Sequence, residues 1–233
     1  SRLFGELEQT KVGTPGAGGN LIFLKNFDDE GRINPPSSWQ ILNNKANQFW
    51  HADSSFKANP AKASLLSGRV VPSRGGNTEY LSMRAVYAAL PEETKQRIEG
   101  LVAIHDYSHS RNKIDPDLVS QAEYKAVPPV RQAMVLDHGG RGKSLYIGAH
   151  CSGIEGMSGE EGGALIDELM AFADQEQFVY SHNWRQHDLV LWDNRSVLHR
   201  ATPFDAANEK RFVVRTTIAG DGPTIKTAAT AAE

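Results

Sequence analysis

Short hydrophobic runs bounded by Gly, Pro, Asn or Asp recur along the chain and predict β-strands. Most of these runs are shorter than about eight residues, which favours strands over helices. The predicted strands are 21–24, 64–71, 144–147, 188–192, 196–199 and 211–218.

Helical patterns lie between these strands. Residues 82–90 have helical periodicity, and Pro91 suits the first turn of a second helix that runs to Glu99. Ser158-Gly159-Glu160-Glu161 matches a capping box, which predicts that an amphipathic helix begins there. Its apolar positions at helical spacing are Leu165, Leu169, Phe172 and Ala173.

The order of these elements predicts the fold class. Strands and helices do not alternate regularly, which argues against a doubly wound parallel sheet. We therefore predict a mainly β fold with inserted helices, of the sandwich or jelly-roll type. No shift in composition marks a boundary, so residues 1–233 are predicted to form a single domain. The Gly-rich stretch 13–20 is interpreted as a mobile loop or a join across unobserved residues, and 227–233 as a frayed tail.

Composition narrows the classes of function. The chain has 25 basic and 28 acidic residues, a net charge of −3, which disfavours nucleic-acid binding. No apolar run reaches the length of about 18 residues that a membrane span needs. The single cysteine, Cys151, excludes an internal disulfide and fits a reducing, cytoplasmic compartment. The oligomeric state stays open, with a homo-oligomer as one option.

The segment Trp50-His51-Ala52-Asp53 contains the first candidate for chemistry. Residues i and i+2 of a strand point to the same face, so a strand would present His51 and Asp53 side by side. Together with a distant histidine they would form a 2-His-1-carboxylate set, which suits non-haem Fe(II) and O2 chemistry. The His-x-Asp pair alone is common by chance, and the alternative is a surface histidine beside a turn aspartate.

A histidine that could complete this set is His199. The Asp193-Asn194 turn precedes it, and Val197 and Leu198 flank it on a predicted strand. The apolar flanks indicate a position near a core. The alternative is a buried structural histidine that makes one hydrogen bond.

The predicted strand 211–218 carries two arginines. Alternation places Arg211, Val213, Arg215 and Thr217 on one face and the other four residues on the opposite face. Arginines that face a barrel interior are costly unless anions meet them. Because guanidinium groups hold carboxylates in a bidentate manner, the spacing suggests two anion sites. The alternative is an exposed edge strand with solvated arginines.

The order of these motifs, with Gly75-Gly76-Asn77-Thr78 between them, resembles the taurine dioxygenase superfamily of Fe(II)- and 2-oxoglutarate-dependent dioxygenases. The resemblance extends from Phe4-Gly5-Glu6-Leu7-Glu8 to Gly220. Residues 46–56, 83–91 and 147–150 are most similar to 2,4-dichlorophenoxyacetate dioxygenase and its aryloxyalkanoate relatives. The resemblance implies a double-stranded β-helix (jelly roll, cupin-like). Members normally carry a further segment before the Phe-Gly-x-Leu stretch, so an N-terminal segment is expected to be lacking or not shown here.

The resemblance also implies roles for the motif residues. His51, Asp53 and His199 would ligate Fe(II). Arg211 would pair with the distal carboxylate of 2-oxoglutarate, and Thr78 would donate a hydrogen bond to the same carboxylate. The alternative for Thr78 is a plain turn threonine.

Three further residues are implied on the substrate side. Arg215 would face the anionic group of the substrate. Asn47 matches a substrate-side asparagine of the taurine enzyme, with an Asx turn as the alternative. Arg32 lies where aryloxyacetate enzymes carry a basic residue.

The implied reaction is hydroxylation of a small anionic substrate with O2, which yields succinate and CO2 from 2-oxoglutarate. For an aryloxyacetate, the product would collapse to a phenol and glyoxylate. One alternative is a sulfonate or alkyl sulfate dioxygenase, since arginine holds either anion. The other is a non-catalytic, cupin-like protein that binds a metal or ligand, against which Arg211 and Thr78 argue because a bare metal site needs no carboxylate clamp.

Overall fold

The computed structural model describes residues 1–9 and 18–225, and it is strand-rich with inserted helices. Residues 13–17 of the predicted loop and the predicted tail 227–233 lie outside the described residues. Within the described ranges, none of the helices has the length and apolar character that crossing a bilayer requires.

The strands in chain order are β1 (Ile22–Lys25), β2 (Ala63–Val70), β3 (Thr78–Ser82), β4 (Val102–His105), β5 (Val130–Ala133), β6 (Val135–Asp137), β7 (Lys143–Leu145), β8 (Cys151–Ile154), β9 (Val179–His182), β10 (Leu189–Asp193), β11 (Val197–Ala201) and β12 (Phe212–Ile218). The α-helices are α1 (Trp39–Ala46), α2 (Met83–Ala89), α3 (Glu92–Ile98), α4 (Tyr107–Asn112), α5 (Gln121–Ala126) and α6 (Gly159–Ala173). Single 3-10 turns cover Arg2–Phe4, Gly139–Arg141 and Glu176–Phe178.

The strands pair in antiparallel fashion in each sheet of the described chain. The largest sheet has the order β1-β12-β2-β10, and a second sheet has the order β11-β3-β9. Two smaller sheets are β5-β4-β8 and β6-β7. The predicted turn at Asp193-Asn194 leads from β10 in the first sheet to β11 in the second. The chain thus passes from one sheet to the other just before His199.

A buried cluster joins the two larger sheets. Leu66 on β2, Val213 on β12 and Trp192 on β10 pack with Tyr80 on β3 and with Trp184. A second and larger core lies beneath α2 and α6, where Val86, Leu165 and Leu169 are buried with the strands of the smaller sheets. Burial of these side chains provides the main stabilising term of the fold.

The six strands predicted from hydrophobic runs are confirmed, with bounds shifted by one or two residues. The helices over 82–90 and 91–99 are confirmed as α2 and α3, and Ser82 caps α2 by accepting from the Ala85 amide at 3.3 Å. The capping box is confirmed, because Ser158 Oγ accepts from the Glu161 amide at 3.2 Å. The unpredicted strands β3–β6, β8 and β9 have only three to five residues, too few for a periodic signal.

The prediction of a strand through residues 50–53 is wrong. His51 forms an isolated antiparallel bridge with His199, and the chain turns at Asp53. Ser54 has a φ of 54°, in the left-handed region, which ends the extended conformation directly after Asp53. The His51 and Asp53 side chains nevertheless converge, because the turn redirects the carboxylate toward the bridge.

Candidate active site

Three buried side chains converge where the two larger sheets meet. The His51 amide donates to the His199 carbonyl at 3.1 Å, and the His199 amide donates back to the His51 carbonyl at 2.9 Å. Asp53 lies beside this pair, with its carboxylate oxygens 3.9 Å from Nε2 of each histidine. One ligand atom from each residue lies within 4.8 Å of the other two. Among the described residues, this is a group that could hold a metal ion.

A chain of hydrogen bonds holds the Asp53 carboxylate in place. Ser64 Oγ on β2 donates to Asp53 Oδ2 at 2.7 Å, and Asn194 Nδ2 donates to Ser64 Oγ at 2.8 Å. Asn194 Oδ1 in turn accepts from the Asp53 amide and from Trp192 Nε1, at 3.2 and 2.8 Å. The four residues come from three segments of the chain. Contacts of this kind orient the carboxylate before any ligand arrives.

The protonation states suit a metal ligand set. Burial lowers the pKa of His51 to about 4 and that of His199 well below its ordinary value, so both imidazoles are neutral near pH 7. Burial acts to raise the pKa of Asp53, but Arg215 and the two histidines outweigh it and leave it at about 2. His51 Nδ1 donates to the Phe49 carbonyl at 2.8 Å, which leaves the lone pair on Nε2. Two neutral nitrogens and one carboxylate are the donors of a facial triad.

A cavity of about 160 Å³ extends from this triad to Thr78 and Arg211. Arg211 and Val213 line it together with Arg215, which confirms the predicted face of β12, while Phe212 packs against Phe23 on the other face, with ring centroids 5.9 Å apart. The cavity therefore has the triad at one end and a guanidinium at the other.

The glycine turn before Thr78 holds Arg211 through its buried residue Gly76. Gly75 and Gly76 have φ values of 69° and 64°, a conformation that favours glycine. In this turn the Gly76 carbonyl accepts from Arg211 Nε at 3.1 Å. Among the described residues no carboxylate pairs with Arg211, and burial lowers its pKa to about 10. A buried cation without a counterion indicates an anion site.

Thr78 on β3 is buried and receives a hydrogen bond from Trp184 Nε1 at 2.9 Å. Since an indole nitrogen can only donate, Thr78 Oγ1 acts as the acceptor there. The threonine proton is then available for a second partner in the cavity. The turn-threonine alternative accounts for neither this orientation nor the position beside Arg211.

A second cavity, of about 600 Å³, also borders the triad. His51, Asp53, Asn47 and Arg215 line it, and all of these except Asp53 also line the small cavity. The two cavities therefore meet at the triad. The volume lies within the range of about 300–1,000 Å³ that ligand pockets of proteins have.

Aromatic rings form one wall of the large cavity. The Phe56 ring lies 4.9 Å from both the Tyr107 and the His150 ring centroids in edge-to-face geometry. His150 is buried and its ring centroid lies 6.1 Å from that of His51. Such rings favour an apolar or aromatic occupant close to the triad.

Arg215 lies at the junction of the two cavities. Its Nη1 donates to Asp53 Oδ1, so its charge is already shared with a member of the triad. The predicted substrate-facing arginine thus reaches both cavities, and Asn47 lies at the same junction, with its backbone carbonyl accepting from the Ala201 amide at 2.8 Å.

The structure does not bring Arg32 to the site. Its side chain is 74% exposed and forms ion pairs with Asp28 and Glu30 of its own loop, at 2.7 and 3.0 Å. The local acids satisfy the guanidinium, and Arg32 lines neither cavity. The predicted substrate contact of Arg32 therefore has no support from its position, because the acids of its own loop hold the guanidinium away from both cavities.

Several cavity residues escaped sequence reasoning. Arg111 and Tyr107 on α4, His150 before β8, and Phe56 line the large cavity. Phe56 and His150 lie in stretches that resemble the family, but no spacing links the four residues, and they meet only through tertiary packing. Five other histidines lie outside both cavity linings, namely His105, His109, His138, His182 and His187.

Sequence comparison identifies relatives of known class. The model of the family described as "Taurine catabolism dioxygenase TauD, TfdA family" matches residues 1–217. The α-ketoglutarate-dependent 2,4-dichlorophenoxyacetate dioxygenase of Cupriavidus pinatubonensis is 42% identical over 199 residues, which are 85% of this chain and 69% of that protein. The (S)-phenoxypropionate/α-ketoglutarate dioxygenase of Sphingobium herbicidovorans is 40% identical over 184 residues, 76% of this chain and 64% of that protein. The chain thus spans about two thirds of the length of these relatives.

Structure comparison agrees. A crystal structure of AAD-2 in complex with Mn(II) and N-oxalylglycine superposes with a TM-score of 0.86 at 41% identity. The match covers 95% of this chain and 79% of the other.

Proposed function

Because the chain belongs to the taurine catabolism dioxygenase TauD, TfdA family and is an α-ketoglutarate-dependent dioxygenase, we propose that it cleaves the ether of an aryloxyacetate such as 2,4-dichlorophenoxyacetate. The observation that carries the proposal is the buried triad at the junction of two cavities. One cavity is lined by an arginine that no carboxylate of residues 1–9 and 18–225 pairs with, and the other has an aromatic wall.

In this proposal His51, Asp53 and His199 hold Fe(II). The donor set and its protonation suit that metal, and a related structure was obtained with Mn(II). The strand-rich antiparallel architecture and the structural similarity support a double-stranded β-helix as the scaffold.

The small cavity is proposed to bind 2-oxoglutarate. Arg211 would hold the distal carboxylate in a bidentate manner, and the Thr78 hydroxyl would donate to the same group. N-oxalylglycine, bound in the related structure, has the same two carboxylates and the same oxo group as 2-oxoglutarate. The cavity volume of about 160 Å³ suits a molecule of this size.

Bound iron, 2-oxoglutarate and O2 together supply the oxidation, which gives succinate, CO2 and one hydroxylated C–H bond in the substrate. The protein's own contribution is position and shielding. Ser64 and Asn194 keep the Asp53 carboxylate oriented, and burial keeps both histidines neutral. Arg215, at the junction, meets the anionic group of the substrate where the two cavities join.

The substrate class follows from the large cavity. Phe56, Tyr107 and His150 provide an aromatic wall, and Arg215 provides positive charge beside it. An aryloxyacetate has an aromatic ring, which suits the aromatic wall, and a carboxylate, which suits the positive charge. Hydroxylation at the carbon between the ether oxygen and the carboxylate gives a hemiacetal, which collapses to a phenol and glyoxylate.

The test is succinate formation with Fe(II), 2-oxoglutarate and O2, with and without 2,4-dichlorophenoxyacetate. We expect succinate and the phenol in equal amounts, both dependent on the substrate. Succinate with sulfonates or alkyl sulfates but no phenol from the aryloxyacetate would instead favour the taurine-type alternative. No succinate from any substrate, with metal bound, would overturn the proposal.

A further inference from the structure

We propose that Arg111 is the residue that selects the carboxylate of the aryloxyacetate in the large cavity. This inference rests on the proposed function and assigns a specificity-determining role to a residue outside the family's motifs. Arg215 lines both cavities at their junction, whereas Arg111 lines the large cavity alone.

The first argument is that the charge of Arg111 is not neutralised nearby. Among the described residues no carboxylate forms an ion pair with it, whereas Arg215 donates to Asp53 and Lys57, on the same cavity, lies 2.6 Å from Glu8 Oε2. Arg111 lines the large cavity, and its Nε is shielded from solvent and has no hydrogen-bond partner. Of these three cations, it is the one whose charge no described carboxylate offsets before an anion arrives, so it adds to Arg215 a second positive group for the substrate.

The second argument is that the guanidinium is held in place before an anion arrives. It lies 4.6 Å from the Tyr107 ring centroid, and its Nη1 donates to Ser110 Oγ at 2.9 Å. Ser110 Oγ is also 3.1 Å from His150 Nδ1, on the aromatic wall. Ser110 Oγ also lies 3.4 Å from the Tyr107 carbonyl, which can only accept, so the serine proton goes either to that carbonyl or to His150 Nδ1. The arginine and the aromatic wall are thus parts of one hydrogen-bonded unit.

The third argument is proximity to the triad. His51 and Asp53 line the same cavity as Arg111. His150, which Ser110 links to Arg111, has its ring centroid 6.1 Å from that of His51, so the guanidinium lies on the triad side of the cavity. A carboxylate bound to it would hold the neighbouring carbon of the substrate on the triad side of the cavity.

The test is calorimetric binding to the enzyme loaded with Fe(II) and 2-oxoglutarate without oxygen. The ligands are 2,4-dichlorophenoxyacetate and its neutral amide, which has nearly the same shape. The variants are Arg111→Met, which keeps the stem on Tyr107, and Arg111→Lys, which keeps the charge. Arg97→Gln, an exposed arginine paired with Glu168, is the matched control.

We expect the native enzyme to prefer the carboxylate over the amide and Arg111→Met to lose about 10- to 100-fold in carboxylate affinity, as a charge-assisted hydrogen bond would. Amide binding should change little, Arg111→Lys should retain part of the preference, and the affinity for 2-oxoglutarate should not change. Amide binding and a thermal melt show that Arg111→Met is folded. If Arg111→Met is not folded, the test rests on Arg111→Lys. A native-like preference of Arg111→Lys for the carboxylate over the amide, with slower turnover as its only change, would then count against the proposal.

The outcomes separate the two proposals. If Arg111→Met binds the carboxylate as tightly as the native enzyme does, Arg111 is not the selecting residue and the proposed function stands. If the native enzyme binds neither ligand, the aryloxyacetate function fails together with this inference. If Arg111→Met also loses 2-oxoglutarate affinity, the residue acts on the whole site and the assignment is wrong.

Discussion

The two cavities that meet at the triad are built in different ways. The small cavity takes a larger share of its lining from paired strands than the large cavity does, with Thr78 on β3, Leu66 on β2, His199 on β11 and Val213 on β12. The large cavity draws mainly on segments outside strands, including α4, the loop after Asp53 and the residues 126–130 around the end of α5, and α1 contributes to both cavities.

This difference indicates which cavity suits a ligand shared by related enzymes and which suits a ligand that differs between them. Hydrogen-bonded strands hold side chains at set positions, which suits a co-substrate shared by many related enzymes. Helices and loops on a rigid scaffold can change without disturbing it, which suits a substrate that differs from one enzyme to the next. Variants in one cavity should therefore leave the other unaffected, and four predictions test this.

The largest effect is expected where the cavities meet. His199→Ala removes one of the three proposed ligands, so metal affinity should fall more than the ~10–100-fold that loss of an outer-shell contact causes. Both cavities should lose function together, as measured by metal titration and by succinate formation. His187→Asn, at an exposed position with a positive φ that asparagine tolerates, is the control. If His199→Ala still binds the metal tightly, His199 is not a metal ligand.

Arg211→Gln should affect the small cavity alone. Loss of a charge-assisted pair should raise the 2-oxoglutarate concentration needed for half-maximal rate by about 10- to 100-fold. The KM for the aryloxyacetate should change much less. Steady-state kinetics with each compound varied in turn measures both, with Arg97→Gln as control. A parallel rise in both constants would show that the cavities are not independent.

Gly76→Ala tests whether the turn positions Arg211. A Cβ there would lie 2.8 Å from Pro72 Cγ and 3.3 Å from Arg211, at a φ of 64°. Such strain should lower the free energy of unfolding by about 1–3 kcal/mol and weaken 2-oxoglutarate binding. Urea denaturation and 2-oxoglutarate titration measure the two effects. Gly163→Ala, a helical position with nothing within 4 Å, should instead raise stability, by up to about 1 kcal/mol.

The smallest effect is expected at the aromatic wall. Phe56→Leu removes the ring contacts with Tyr107 and His150, each at 4.9 Å. The KM for the aryloxyacetate should rise by about 3- to 10-fold, as the energy of an aromatic pair suggests, with no change for 2-oxoglutarate. Phe178→Leu, in a ring pair with Phe172 outside both cavity linings, is the control. If Phe56→Leu and Phe178→Leu raise the KM for the aryloxyacetate equally, the aromatic wall affects this KM only through the stability of the fold.

Much of the small cavity could be predicted from the chain. Alternation along residues 211–218 gave the correct cavity face for Arg211, Val213 and Arg215, because side chains of a strand alternate whatever it pairs with. Resemblance to a family added Thr78 and the three triad residues, and the structure brings these together. The strand through His51 was wrong, since a turn after Asp53 ends the extended segment.

The large cavity could not be predicted in the same way. Arg111, Phe56 and His150 come from three segments with no shared periodicity or spacing, and Arg32, predicted on the substrate side, lies outside the cavity lining. Whether a guanidinium meets a local carboxylate or an empty cavity depends on which loops pack against it. Sequence spacing contains no information about that.

The sequence by itself determined the donor types, the sidedness of β12 and the capped helices, because each depends on neighbours within a few residues. Only the tertiary structure decided that His51 pairs with His199 across two distant segments. It also decided that Arg215 shares its charge with Asp53 and that Arg111 remains without a carboxylate partner among the described residues. The physical reason is that burial and charge pairing are properties of surroundings assembled from the whole chain.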